Sequence, residues 1–106
     1  MRYRYTVVET LPLKPGASAS RFAKAYKELS TLDGIAQEYG VSPTSENRVL
    51  RSLTDPRRVK LVYRAEDMEM LWQFYKDATV HEAIRRVFEQ YVDPEGVELE
   101  YWEELE

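Results

Sequence analysis

The alternation of apolar and polar positions divides this chain into short strands and amphipathic helices. From Arg2 to Thr10, Tyr3, Tyr5 and Val7 point one way while Arg2, Arg4, Thr6 and Val8 point the other. Aromatic and β-branched residues suit a pleated surface, so the pattern predicts a strand. Leu11-Pro12-Leu13-Lys14-Pro15-Gly16 closes it, because proline cannot donate to a central ladder. A helix is predicted from about Ala19 to Leu29, with Phe22, Tyr26 and Leu29 along one face. Ser18 or Ser20 is its cap, and Lys24–Glu28 forms an i,i+4 pair on the wet side. Asp33 is expected to cap a short helix through Glu38 and Tyr39, with Gly40 as its left-handed stop. Val41–Glu46 reads as a loop, either an ordinary connection or a flap over a pocket.

The centre of the chain is a β-hairpin, Arg48–Leu53 and Val59–Ala65, joined by the turn residues Thr54-Asp55-Pro56-Arg57-Arg58. Apolar residues three and four apart then mark two helices. Met68, Leu71, Trp72 and Tyr75 line the first, Met68–Lys76; Val80, Ile84, Val87, Phe88 and Tyr91 line the second, Val80–Tyr91. Thr79 and Glu82 have capping-box spacing, which starts the second helix and separates it from the first. Asp93-Pro94-Glu95-Gly96 is a turn, and Val97–Glu103 alternates as a last strand.

The order β-α-β-β-α-α-β predicts an α+β, ferredoxin-like domain: an antiparallel sheet in the order 4-1-3-2 with helices on one face. Tyr3, Tyr5, Val7, Val59, Leu61, Tyr63, Val97, Leu99 and Tyr101 fall on the helix side. The first and last strands of the chain are then antiparallel neighbours, which puts Arg2 and Arg4 across from Glu98 and Glu100. The opposite face mixes Val8, Val62 and Trp102 with charges, so it either meets water or pairs with a second copy.

Composition narrows the class. The 106 residues form one domain, and a hydrophobic fraction of 43% supports a core. A net charge of −4 gives no grip on phosphate backbones, so nucleic acid is not an expected partner. There is no cysteine, and no apolar run long enough for a membrane span. Met1-Arg2-Tyr3-Arg4 begins a strand pattern and not a signal peptide, so a cytoplasmic protein without membrane attachment is expected.

Candidate chemistry is sparse. His81 is the single histidine and a candidate general base, although its helical position turns it from the buried side towards the rim. Arg64 is a candidate to hold a substrate carboxylate or phenolate, or else it pairs across strands with a glutamate. Tyr3, Tyr5, Tyr63, Tyr75 and Trp72 either line an aromatic pocket between sheet and helices or form plain core. No second histidine or carboxylate spacing suggests a metal site, and there is no glycine-rich phosphate loop or nucleophile elbow.

Leu13-Lys14-Pro15-Gly16 with Phe22, Tyr26 and Leu29 resembles the first strand-to-helix crossing of the antibiotic biosynthesis monooxygenase-like domains. Val49-Leu50-Arg51-Ser52 with Asp55-Pro56, Val59–Tyr63 and Glu66-Asp67 is similar to their central hairpin and second helix. The resemblance spans roughly Val7 to Glu100. It implies a dimeric α+β barrel in which two sheets face each other and each protomer holds a pocket beside its helices. Members include cofactor-free oxygenases, haem-degrading enzymes and isomerases. The chain departs from the pattern at several points. Arg64-Ala65 stands where many members carry a Trp before the acidic pair, and Gln73-Phe74-Tyr75 where a helix His is common. No Asn occurs on the first strand, and the haem-ligating His of that branch would fall near Ile84.

The leading expectation is therefore a homodimeric barrel that binds a small aromatic or apolar metabolite, with cofactor-independent monooxygenation, needing no flavin, haem or metal, as its candidate activity. His81 and Arg64 are its candidate catalytic residues; Trp72, Tyr63, Tyr5 and Tyr75 are its candidate ligand-binding residues. The competing expectation is a non-catalytic sensor or interaction module on the same scaffold.

Overall fold

The computed structural model describes residues 3–105. Four strands, β1 (Tyr5–Pro12), β2 (Arg48–Arg51), β3 (Arg58–Ala65) and β4 (Glu98–Glu103), form one antiparallel sheet in the order β2-β3-β1-β4. Four α-helices accompany it: α1 (Ala19–Lys27), α2 (Asp33–Glu38), α3 (Met68–Lys76) and α4 (Ala78–Tyr91). The expected fold class and strand order are both present. No helix among the described residues is long and apolar enough to cross a membrane.

One face of the sheet carries the core. Val7 sits across from Tyr63 and Tyr101, Glu9 across from Leu61 and Leu99, and Leu11 across from Val59. Phe22 of α1 is fully buried, with its ring edge-on to Phe88 and Tyr91 of α4 at 6.3 and 6.1 Å. Such aromatic pairs add to the stabilisation from burial alone. Leu71 of α3 and Val80 of α4 are also fully buried. β4 stays outside this core. All six of its residues are exposed, Leu99 at 50% and Tyr101 at 38%, although both lie on the helix side of the sheet.

Several local expectations are corrected. Helix α4 is capped by Asp77, whose Oδ1 accepts from the N–H groups of Thr79 and Val80. Thr79 is therefore not the cap, and Glu82 pairs with Arg85 instead of reaching back. Asp77 has extended φ/ψ, which separates α3 from α4 without any glycine or proline. β1 runs on to Pro12. The β1–β4 ladder has already ended at Thr10–Glu98, so the missing proline N–H interrupts no pair with β4. Glu100 lies opposite Val8, and Glu98 opposite Thr10. Arg4 pairs instead with Glu103 at 2.9 Å, and the expectation for Arg2 lies outside the described residues. Asp33 stands inside α2, and a 3-10 turn over Glu28–Leu32 leads into that helix. Gly40 does adopt the left-handed conformation, φ +68°, and its N–H and C=O bond Gln37 and Glu66.

Candidate functional site

Between the sheet and the helices lies a cavity of about 310 Å³ with mainly apolar walls. Leu61 and Leu99 come from the sheet, and Phe74, Ile84 and Phe88 from α3 and α4. Leu99 lines the cavity and is half exposed, so the cavity reaches solvent beside β4.

Strand alternation explains the acid inside it. Tyr5, Val7, Glu9 and Leu11 share one face of β1, so Glu9 must point where its neighbours point, into the core. It is 9% exposed. Tyr63 of β3 donates its hydroxyl proton to Glu9 Oε2, and the Tyr63 and Tyr75 hydroxyls are in turn hydrogen bonded. Tyr63 has one proton, so Tyr75 supplies the proton of the second bond. Burial pushes the Glu9 carboxyl above the ordinary carboxylate range, and the bond from Tyr63 offsets part of that. Burial and the nearby carboxylate push the Tyr63 phenol far up; burial does the same to Tyr75. Both phenols therefore remain hydrogen-bond donors throughout the physiological range. Oε1, the second oxygen of Glu9, makes no hydrogen bond among the described residues. It is not fully buried, since no fully buried side-chain oxygen or nitrogen among them lacks a partner.

A second polar group lies on the α1 side. Tyr26 Oη accepts from Asn47 Nδ2 at 2.7 Å, and Asn47 Oδ1 accepts from Ser42 Oγ at 2.5 Å. Ser42 Oγ also accepts the N–H of Arg64, which lies at the end of β3 that β2 leaves uncovered. Burial raises the Tyr26 phenol to about 12. Asp33 holds the backbone N–H of Thr44 at 3.0 Å, and Lys27 Nζ donates to the carbonyls of Thr44 and Asn47 at 2.7 and 2.9 Å. The segment 42–47 is thus fastened by side chains of two helical elements while Ser42, Thr44 and Asn47 line the cavity.

The candidate residues are divided by the structure. Tyr63 and Tyr75 line the cavity together. Trp72 stands behind them, 41% exposed, tilted against Tyr75 and edge-on to Tyr101 at 5.3 Å. Tyr5 is half-buried at the end of β1 and does not line the cavity. Arg64 points to the other face of the sheet, where it donates to Tyr3 O and pairs with Glu104 at 3.3 Å. His81 is exposed in the first turn of α4 and also lies outside the cavity. Sequence reasoning missed Glu9, Tyr26 as a polar group, and Asn47. For Glu9 the signal was available, since a charged residue stood where the alternation of β1 demanded an apolar one.

Comparison with known proteins places this geometry. A provisionally named antibiotic biosynthesis monooxygenase from Bordetella bronchiseptica superposes with a TM-score of 0.76, at 18% identity over 99% of this chain and 100% of that one. The protein has the antibiotic biosynthesis monooxygenase-like α+β fold. A second protein so named, from Caulobacter crescentus CB15, gives 0.72 at 21% identity, covering 99% and 92% of the two chains. SnoaB, a cofactor-independent oxygenase from Streptomyces nogalater, gives 0.71 at 8% identity, covering 99% and 96%. At such identities the likeness establishes the fold and not the reaction. No family model and no curated protein matches the chain.

Proposed function

We propose that the protein binds a small electron-rich aromatic metabolite in this cavity and oxygenates it without a cofactor. The observation that carries the reading is Glu9: a nine-tenths buried carboxyl in an apolar cavity, with one oxygen fixed by Tyr63 and the other unpartnered. A buried carboxylate with a raised pKa is a stronger base than a solvated one, and a base matched to the operating pH is an efficient one. Glu9 takes a proton from a substrate hydroxyl or activated methylene, and the Tyr26 O–H donates to the substrate oxygen that gains charge. The resulting carbanion transfers an electron to O₂, the radical pair recombines as a peroxide, and loss of water leaves a new carbonyl. A CH₂ group and O₂ become C=O and H₂O, so no outside reductant enters. The fold shared with SnoaB, itself a cofactor-independent oxygenase, supports the same chemistry.

The open face of the sheet fits a homodimer in this reading. Val8 and Val62 are half-buried there, while Leu50 and Trp102 are 46% and 59% exposed. An oxygen electrode with a panel of phenols, quinols and anthrones tests the activity. Uptake with at least one of them, lost in Glu9→Gln and kept in His81→Ala, is expected. A panel without uptake would favour the competing reading of a binding module.

A further inference from the structure

The charge of the cavity restricts what it takes more than its shape does. Among the described side chains that line it, Glu9 and Asp33 are acids, and none is a lysine, arginine or histidine. Nearby cations are committed elsewhere. Lys27 is bonded to two backbone carbonyls, and Arg64 faces away to Tyr3 O and Glu104. Asp33 is occupied as well, since its oxygens accept from the N–H and hydroxyl of Thr44. Glu9 differs. It is 9% exposed, and Oε1 has no partner among the described residues. Tyr26 complements it: Oη accepts from Asn47, and its own proton has no acceptor among those residues. The cavity therefore offers a spare oxygen on an acid and a spare phenol proton, with no positive charge to balance an anion.

Building on the ligand-binding part of the reading above, we infer that the cavity is a site for uncharged ligands bearing an O–H or N–H donor for Glu9 Oε1, and that it rejects carboxylates, sulfonates and phosphates. An anionic ligand would lie among apolar atoms near two carboxyl groups. It would repel them if they are ionised, or force Glu9 to stay protonated. Either way it loses its hydration without gaining a cationic partner. Like charges a few ångströms apart at a protein-like dielectric lower affinity by at least about tenfold. Glu9 is thus a specificity-determining residue as well as a base. The reaction that supplies the ligand must deliver it without a free acid group.

Calorimetric titration near pH 8 with 2-naphthol and 2-naphthoate separates charge from shape, because the two share a ring system and differ in ionisation. The wild-type chain is expected to bind the naphthol and to bind the naphthoate at least about tenfold more weakly. In Glu9→Gln the gap should narrow because the naphthoate gains. Asp33→Asn provides the same comparison if Glu9→Gln does not fold by circular dichroism. Equal affinities in the wild type, or a gap that neither substitution changes, overturn the inference. Discrimination without any O₂ uptake upholds it and removes only the oxygenase reading. If neither probe binds, both readings fall.

Discussion

Replacing Glu9 with glutamine changes the pH dependence of stability in a way the geometry fixes in advance. The amide oxygen can still accept the Tyr63 hydroxyl, so the bond at Oε2 survives, and the amide nitrogen takes the place of the unpartnered Oε1. What disappears is the titration. Burial raises the carboxyl pKa in the folded protein. Above the ordinary carboxyl range, the unfolded chain has released this proton while the folded chain still holds it. Folding then takes up a proton, and this group makes stability fall as pH rises, by about 1.4 kcal/mol per pH unit until the folded carboxyl ionises. Below the unfolded pKa the acid is neutral in both states, and Glu and Gln should be of similar stability. The advantage of Glu9→Gln should open from there upwards, then level off above the folded pKa. The height of the plateau measures the shift. Urea titrations followed by circular dichroism, at pH steps from mildly acidic to mildly alkaline, read the difference directly, because the other carboxylates cancel between the two proteins. A difference that stays flat across the range would refute the reasoning. It would mean that Glu9 ionises like a solvated acid, and that burial does not make it a stronger base.

Other outcomes follow from the same structure. Asp77→Ala should cost about 1 kcal/mol by removing the α4 cap, while Thr79→Ala should leave the urea midpoint nearly unchanged. Tyr63→Phe should cost about 1–3 kcal/mol in chemical denaturation, since it leaves Glu9 Oε2 and the Tyr75 hydroxyl without their shared partner. Gly40→Ala should destabilise by about 1 kcal/mol or more, because φ is +68° and a Cβ would meet the Glu66 side chain at 3.2 Å. Sedimentation should find a dimer at micromolar concentration that Trp102→Glu converts to monomer; a wild-type monomer would remove the paired-sheet model.

The fold was legible because each element carried its own period. The pair Met68–Lys76 and the strand Val59–Ala65 stood out by spacing alone, and the observed elements agree with them to within a residue. Ends were less legible. The aspartate that caps α4 lies two residues before the threonine that matched a capping pattern, and only the backbone angles at Asp77 separate the two. β4 matched in alternation but not in burial, because alternation reports which way a side chain points and not whether a helix covers it. For the site, Tyr63 and Tyr75 were accessible as aromatics on the core side. Arg64 and Ala65 are neighbours in sequence, yet strand pleating sends Arg64 to the far face and buries Ala65 completely. Asn47 gave no signal, since its role depends on Tyr26 and Ser42 meeting it from separate parts of the chain.

The β1–β4 ladder joins the two ends of the chain: Tyr5 pairs with Glu103 and Thr10 with Glu98. Closing so long a loop costs little more free energy than closing a short one, but it comes late, after the more local β2–β3 hairpin has formed. Helix α3 meets β4 through Trp72 against Tyr101, but all six β4 residues stay exposed, so its hold on the sheet is mostly its backbone ladder to β1. It is therefore the strand expected to lock last and to detach first, with amide hydrogen exchange fastest there among the four. Val97 and Leu99, which line the cavity, leave with it. Entry of the ligand proposed above would then need no hinge: a brief local unfolding of this edge strand would widen the opening beside it and re-form behind the guest.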